Sequence, residues 1–98
     1  MSESEIQKQI IDTLRAAGCK VIRLNAGKAR MNVRLAEPGT PDLLALGKNG
    51  NHLWIEVKDE KGKLRDTQVE MHEWMRENGH LVIVARSVED IPLSALVV

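Results

Sequence analysis

The sequence contains no phenylalanine and no tyrosine, and its aromatic residues are Trp54 and Trp74 alone. A core of packed aromatic rings is therefore excluded, and the interior has to be assembled from Ile, Leu, Val, Met and Ala. The single cysteine, Cys19, excludes an intramolecular disulfide and a thiolate zinc cluster. No run approaches the roughly 18 apolar residues of a membrane span. The beginning, MSESEIQKQ, is acidic and polar, unlike a signal or transit peptide. The expectation is a soluble protein with no membrane partner, in a reducing, cytoplasmic interior.

Excess charge of either sign is also missing, since 14 basic and 14 acidic residues cancel. Their distribution is uneven. Lys20, Arg23, Lys28, Arg30 and Arg34 fall in one stretch without an acid among them, whereas acids crowd the first turn of the chain and the segment after Val57. A cationic segment beside a carboxylate-rich one suits a protein that meets phosphates and also holds a carboxylate site, although such a segment is also an ordinary solvated loop. With 43% apolar and 29% charged residues in a 98-residue chain, the composition is globular, and one domain over 1–98 is expected. So short a chain buries a modest share of its surface, which leaves apolar area for a second copy to cover.

Ile6, Ile10, Leu14 and Ala17, with Ile11 beside them, recur at helical spacing and predict a helix from about Ser4 to Ala17. Ser2 and Glu5 fit a capping box at its start, and Gly18 is a natural stop. Val21–Leu24 favours a strand. EPGTPD is dense in turn formers and leads into the short apolar run Asp42–Leu46. GKNGN reads as a hairpin turn before His52–Lys58, so these two runs are expected to pair antiparallel. A second helix begins near Arg65 to Thr67, with Thr67 and Glu70 as its capping box, and ends at Asn78-Gly79. Its inward stripe is Leu64, Gln68, Met71 and Met75, with Trp74 beside it. Leu81–Ala85 reads as a central, buried strand, Ser87 caps a short turn over Glu89 and Asp90, and Leu93–Val98 is apolar without assignment. The expected fold class is α/β, a mixed sheet flanked by helices in the order α-β-β-β-α-β with a short C-terminal helix.

Side chains alternate along LWIEVK, so Glu56 and Lys58 point one way and Ile55 and Val57 the other. Counting back across the GKNGN turn brings Asp42, at the start of the partner strand, close to Glu56 and Lys58. Two hard carboxylate ligands with room for water suit Mg²⁺ or Mn²⁺ better than zinc. A nearby lysine can stabilise a crowded phosphorane or, in its neutral form, deprotonate an attacking water. Metal-activated water facing a phosphodiester makes a hydrolase site. An isolated E-x-K on a strand is more commonly a solvated salt bridge; the Pro-Asp turn and the short antiparallel connection set this one apart. Gln68 is the polar member of an inward stripe, either a buried amide that needs partners or a partly exposed helix residue. His52, His72 and His80 lie on different elements without an i, i+4 partner and are expected at the surface. Trp54 shares the face of Glu56, with a place beside the site or against a helix open to it and the core the expected one, and Met71 and Met75 are expected in the core or on a dimer surface.

Pro41-Asp42, thirteen intervening residues, then Glu56-Val57-Lys58 resembles the PD-(D/E)XK nuclease signature. More narrowly, PGTPDLLAL, WIEVK, GKLRDTQ and NGHLVIVARS resemble the VRR-NUC domain, over nearly the whole chain from SESEIQ to SVEDI. The resemblance implies a restriction-endonuclease-like mixed sheet with helices on both sides. It implies Asp42, Glu56 and the main-chain carbonyl of Val57 as ligands of Mg²⁺ or Mn²⁺, Lys58 as the catalytic lysine, and a glutamate of the first helix near the metal. Glu3 is preferred there, with Glu5 the competitor; an acid in this turn is also ordinary helix-dipole chemistry. Gln68 would support the site or the scissile phosphate. Arg23, Lys28, Arg30 and Arg34 are the phosphate-contact candidates.

Small stand-alone members of this family resemble junction resolvases. A four-way junction is cut on two strands, and a chain with one site achieves that most simply as a C2 homodimer. The expected protein is thus a metal-dependent, homodimeric, structure-selective DNA endonuclease acting on branched DNA such as a Holliday junction, with no small-molecule cofactor; its compactness fits a phage or mobile element. A less selective flap or single-strand nuclease is the alternative within enzymes, and a non-catalytic DNA-binding module on the same fold the alternative outside them.

Overall fold

A computed structural model describes residues 1–24 and 37–98. Helix α1 spans Glu3–Ala16, one residue earlier than its apolar periodicity predicts. Its start is the expected capping box: Glu5 N–H donates to Ser2 Oγ and Ser2 N–H donates to Glu5 Oε1. It stops at Gly18, where Gly18 N–H donates to the Arg15 carbonyl and Cys19 N–H to the Leu14 carbonyl, a Schellman closure. Ile6, Ile10, Ile11 and Leu14 form its buried face. Burying each stabilises the fold by about 1.5–3 kcal/mol before conformational entropy is subtracted.

Strands β1 (Lys20–Arg23), β2 (Leu43–Leu46), β3 (His52–Val57) and β4 (Val82–Ala85) form one sheet in the order β1-β2-β3-β4. The first two pairings are antiparallel and the last, across helix α2 (Asp66–Glu77), is parallel. The β2–β3 hairpin closes through Gly47 N–H donating to the Asn51 carbonyl, which sets Leu43 opposite Ile55. Leu43 and Ala45 of β2 and Leu53, Ile55 and Val57 of β3 are buried with the apolar face of α1. The other face of β3 carries Trp54 and Glu56, and α2 reaches Glu56 there through Gln68 and His72. A 3₁₀ turn (Val88–Asp90) and a short helix α3 (Ser94–Val97) follow β4, and the amides of Asn49 and Asn51 bind carbonyls of Ala95 and Val98 to tie this end to the hairpin. Among the described residues no helix is long and apolar enough to cross a membrane.

Three expectations are corrected here. Among the described residues strand β4 lies at an edge of the sheet and is not central. Its apolar run reports cover on both faces, and cover says nothing about how many strands lie alongside. Helix α2 starts without the Thr67–Glu70 box: Arg65 is the N-cap, and Gln68 Oε1 accepts its backbone N–H at 2.9 Å. The buried positions of α2 are Gln68, His72 and Met75, whereas Met71 and Leu64 are half-buried and Trp74 is 57% exposed, stacked on His80. The stripe is thus centred one position away from the predicted one, and His72, expected at the surface, is 1% exposed.

Candidate active site

Asp42 is fixed by backbone from three directions. The turn before it is held by Thr40, whose N–H and hydroxyl both donate to the Glu37 carbonyl. Gly39 takes φ +89°, and a Cβ there would run into the Thr67 carbonyl oxygen, so only glycine lets this turn press against the first turn of α2. The Asp42 carbonyl accepts Leu24 N–H at 2.8 Å, and its carboxylate Oδ2 accepts Val57 N–H at 2.8 Å. The residue that opens β2 is thereby tied to the end of β3.

One rung beyond the Leu43–Ile55 pair, Asp42 faces Glu56. Glu56 is 2% exposed, and its carboxyl is pushed up to about 8, first by burial and then by the hydrogen bond and charge of Asp42, with Lys58 opposing and Glu3 adding slightly. Two carboxylates can hydrogen-bond only by sharing a proton; when both are ionised, Glu56 Oε1 meets no donor. Its Oε2 accepts from Gln68 Nε2 at 3.3 Å. The amide orientation of Gln68 follows from the helix start, because Arg65 N–H can only donate and so takes Oε1, leaving Nε2 for Glu56. Gln68 therefore caps α2 and holds a site carboxylate with the same group.

Lys58, just past β3, is 7% exposed. Its backbone N–H donates to the Ala85 carbonyl at 3.1 Å. The loop after it is braced: Asp59 Oδ1 accepts Lys61 and Gly62 N–H, and Arg86 Nη1 donates to the carbonyls of Asp59 and Gly62 at 2.7 Å each. Asp42, Glu56, Lys58 and Gln68 thus meet at one end of the sheet, where β2 starts and β3 ends.

The two N-terminal acids are distinguished by what they touch. Glu5 is spent on the capping box, which lowers its carboxyl below the usual range. Glu3 is exposed but near enough for its charge to bear on Glu56. Among the described residues no group of three or more His, Cys, Asp or Glu side chains forms a ready metal cage, so Glu3 is a neighbour of the carboxylate pair and not part of a closed cluster. Arg23 is exposed at the end of β1, opposite Leu43 and therefore beside the Asp42 end of the sheet. Lys28, Arg30 and Arg34 lie outside the described residues.

Two buried groups near Glu56 were not anticipated from sequence as polar parts of the site. His72 has neither ring nitrogen hydrogen-bonded, and its Nε2 lies 3.8 Å from Glu56 Oε1. Burial, with the charges of Arg76 and Lys58, lowers its pKa, so the imidazole is neutral near pH 7. Its signal in the sequence was its place one helical turn after Gln68. Trp54 is half-buried, less enclosed than expected, but its Nε1 is buried without a partner on the same face of β3 as Glu56.

A mixed four-stranded sheet between helices, with paired acids and a lysine at one end, defines a nuclease-type α/β domain. The family model of the VRR-NUC domain matches residues 2–89, and the chain belongs to that family. A solved VRR-NUC domain structure superposes with a TM-score of 0.72 at 30% identity, covering 96% of this chain and 91% of the other. A second, a VRR-NUC domain protein, gives a TM-score of 0.64 at 22% identity over 97% and 84%, which bears on the fold alone. No curated protein matches the sequence.

Proposed function

We propose that this chain is a metal-dependent DNA endonuclease hydrolysing phosphodiester bonds, with Asp42, Glu56 and Lys58 at its centre. The observation that carries the reading is the Asp42–Glu56 pair, a half-buried acid beside a buried one whose ionised Oε1 meets no donor among the described residues. Left to themselves the two share a proton. A divalent cation offers both oxygens a better partner, and the all-oxygen donor set suits Mg²⁺ or Mn²⁺. Asp42, Glu56 and the Val57 carbonyl would hold it, with Glu3 near enough to bear on Glu56.

Such an ion would supply charge for the scissile phosphate and would make a water more acidic. The chain's own residues do the remaining work. Lys58, braced by the Asp59–Gly62 loop, places an ammonium beside the carboxylates, where it stabilises charge developing on phosphate oxygens. Gln68 holds Glu56 in place. Arg23, with Lys28, Arg30 and Arg34, would grip phosphates and thereby position the duplex without reading bases.

The finer reading is a homodimer that cuts four-way junctions symmetrically, supported by the small single-site chain and by membership of a nuclease-type family. Cleavage of a synthetic four-way junction, a linear duplex and a flap in Mg²⁺ or Mn²⁺, against a chelator control, tests both levels. Cutting that requires metal supports the enzyme, and preference for the junction supports the resolvase. Equal cutting of duplex and junction would leave a nuclease and remove the resolvase. A monomer mass by light scattering at micromolar concentration would remove the dimer.

A further inference from the structure

Two buried groups without hydrogen-bond partners face each other between β3 and α2. Glu56 Oε1 and His72 Nε2 are 3.8 Å apart, on side chains 2% and 1% exposed. One turn earlier on α2, Gln68 already donates to the other oxygen of the same carboxylate. The i, i+4 spacing puts Gln68 and His72 on one helix face, so α2 presents two nitrogen groups to the two oxygens of Glu56.

The family resemblance assigned no role to His72, and packing alone does not explain it. A site this enclosed, with Met75 buried one position along the same face, would accept leucine or methionine without burying unpaired nitrogens. A neutral imidazole has one N–H, and directing it at Oε1 pairs a buried donor with a buried acceptor. The separation is longer than a hydrogen bond, and a shift of about 1 Å closes it; site hydrogen bonds commonly tighten when a site is loaded.

We propose that His72 is a positioning residue whose Nε2–H, together with the Gln68 amide, holds the Glu56 carboxylate in the orientation that takes a divalent cation beside Asp42. This inference rests on the reading of Asp42 and Glu56 as metal ligands. Outer partners of this kind fix ligand orientation, and their loss typically weakens metal binding roughly 10–100-fold.

The test is calorimetric titration of Mn²⁺ into the full chain, comparing wild type with Glu56→Gln, His72→Gln and His72→Leu. Glutamine places an amide N–H near the position of Nε2, whereas leucine fills the space without a donor. The expected order is wild type, then His72→Gln within about threefold, then His72→Leu weakened roughly 10–100-fold, with binding lost in Glu56→Gln. If His72→Leu binds as well as wild type, the residue is packing and the proposal is overturned. If wild type takes no Mn²⁺, or Glu56→Gln binds it unchanged, the metal reading itself fails and this inference with it. Should His72→Leu not fold, ¹⁵N NMR of wild type in Mg²⁺ decides the matter: the Nε2–H tautomer is expected, and an Nδ1–H tautomer overturns it.

Discussion

Asp42 and Glu56 lie one position beyond Leu43–Ile55, the last paired rung of the β2–β3 hairpin, and the Val57 N–H beside them holds the Asp42 carboxylate at 2.8 Å. The backbone thus fixes one acid against the other, and the second is too buried to ionise in its ordinary range. Several properties of the metal-free protein follow from that pairing.

Stability should fall as pH rises from about 4.5 to about 8 and level off above that. The Glu56 carboxyl is raised from 4.5 to about 8 in the folded chain, so the folded state keeps a proton that the unfolded state has released. Its contribution is fully present below pH 4.5, declines progressively above that, and is gone once pH has passed the folded value of about 8. One proton limits the slope to about 1.4 kcal/mol per pH unit. Urea unfolding with chelator at pH 7 and pH 9 should show wild type losing stability and Glu56→Gln losing less, since the amide has no proton to shed.

Metal binding should release that proton. Below about pH 8 the cation must displace it, so Mn²⁺ affinity should rise with pH up to that region and flatten above it. Calorimetry in two buffers of different ionisation enthalpy reads the released proton directly. A heat of binding independent of buffer at pH 7 would contradict the shared proton.

Gln68→Ala removes the acceptor of Arg65 N–H and the donor to Glu56 together. The expected cost is about 1–3 kcal/mol of stability. Gln68→Glu keeps the acceptor for Arg65 but sets a third carboxylate beside Glu56, so it should preserve the helix start and raise the Glu56 carboxyl further. Chemical denaturation separates the cap from the site in this pair.

Gly39→Ala should be destabilising by about 1–3 kcal/mol, because an L side chain at φ +89° is strained and its Cβ would meet the Thr67 carbonyl. For a domain this small that is a fall in Tm of about 4–8 °C per kcal/mol. Since the same turn delivers Asp42, Mn²⁺ affinity should fall along with it.

The hairpin register and the meeting of Asp42 with Glu56 were legible because turn length sets register and a strand alternates its side chains. The position of β4 was not, since an apolar run reports covered faces and not neighbouring strands. The burial of His72 was not legible, since no second histidine shares its helix face and its relation is to Gln68 one turn earlier and to Glu56 across the sheet. The start of α2 falls inside the expected Arg65–Thr67 interval, but its cap is not the Thr67–Glu70 pair, because Gln68 caps from inside the helix by accepting Arg65 N–H. Of the phosphate-contact candidates, Arg23 alone falls among the described residues.

The most direct measurement is single-turnover cleavage of a synthetic four-way junction in Mg²⁺ by wild type, Asp42→Asn, Glu56→Gln and Lys58→Ala, each checked for fold by circular dichroism. Wild type should cut, the two carboxyl variants should be inactive, and Lys58→Ala should be slower by about 10²–10³-fold. Wild-type cutting that persists undiminished in any of the three variants, or that continues in excess chelator, would contradict the assignment of this site.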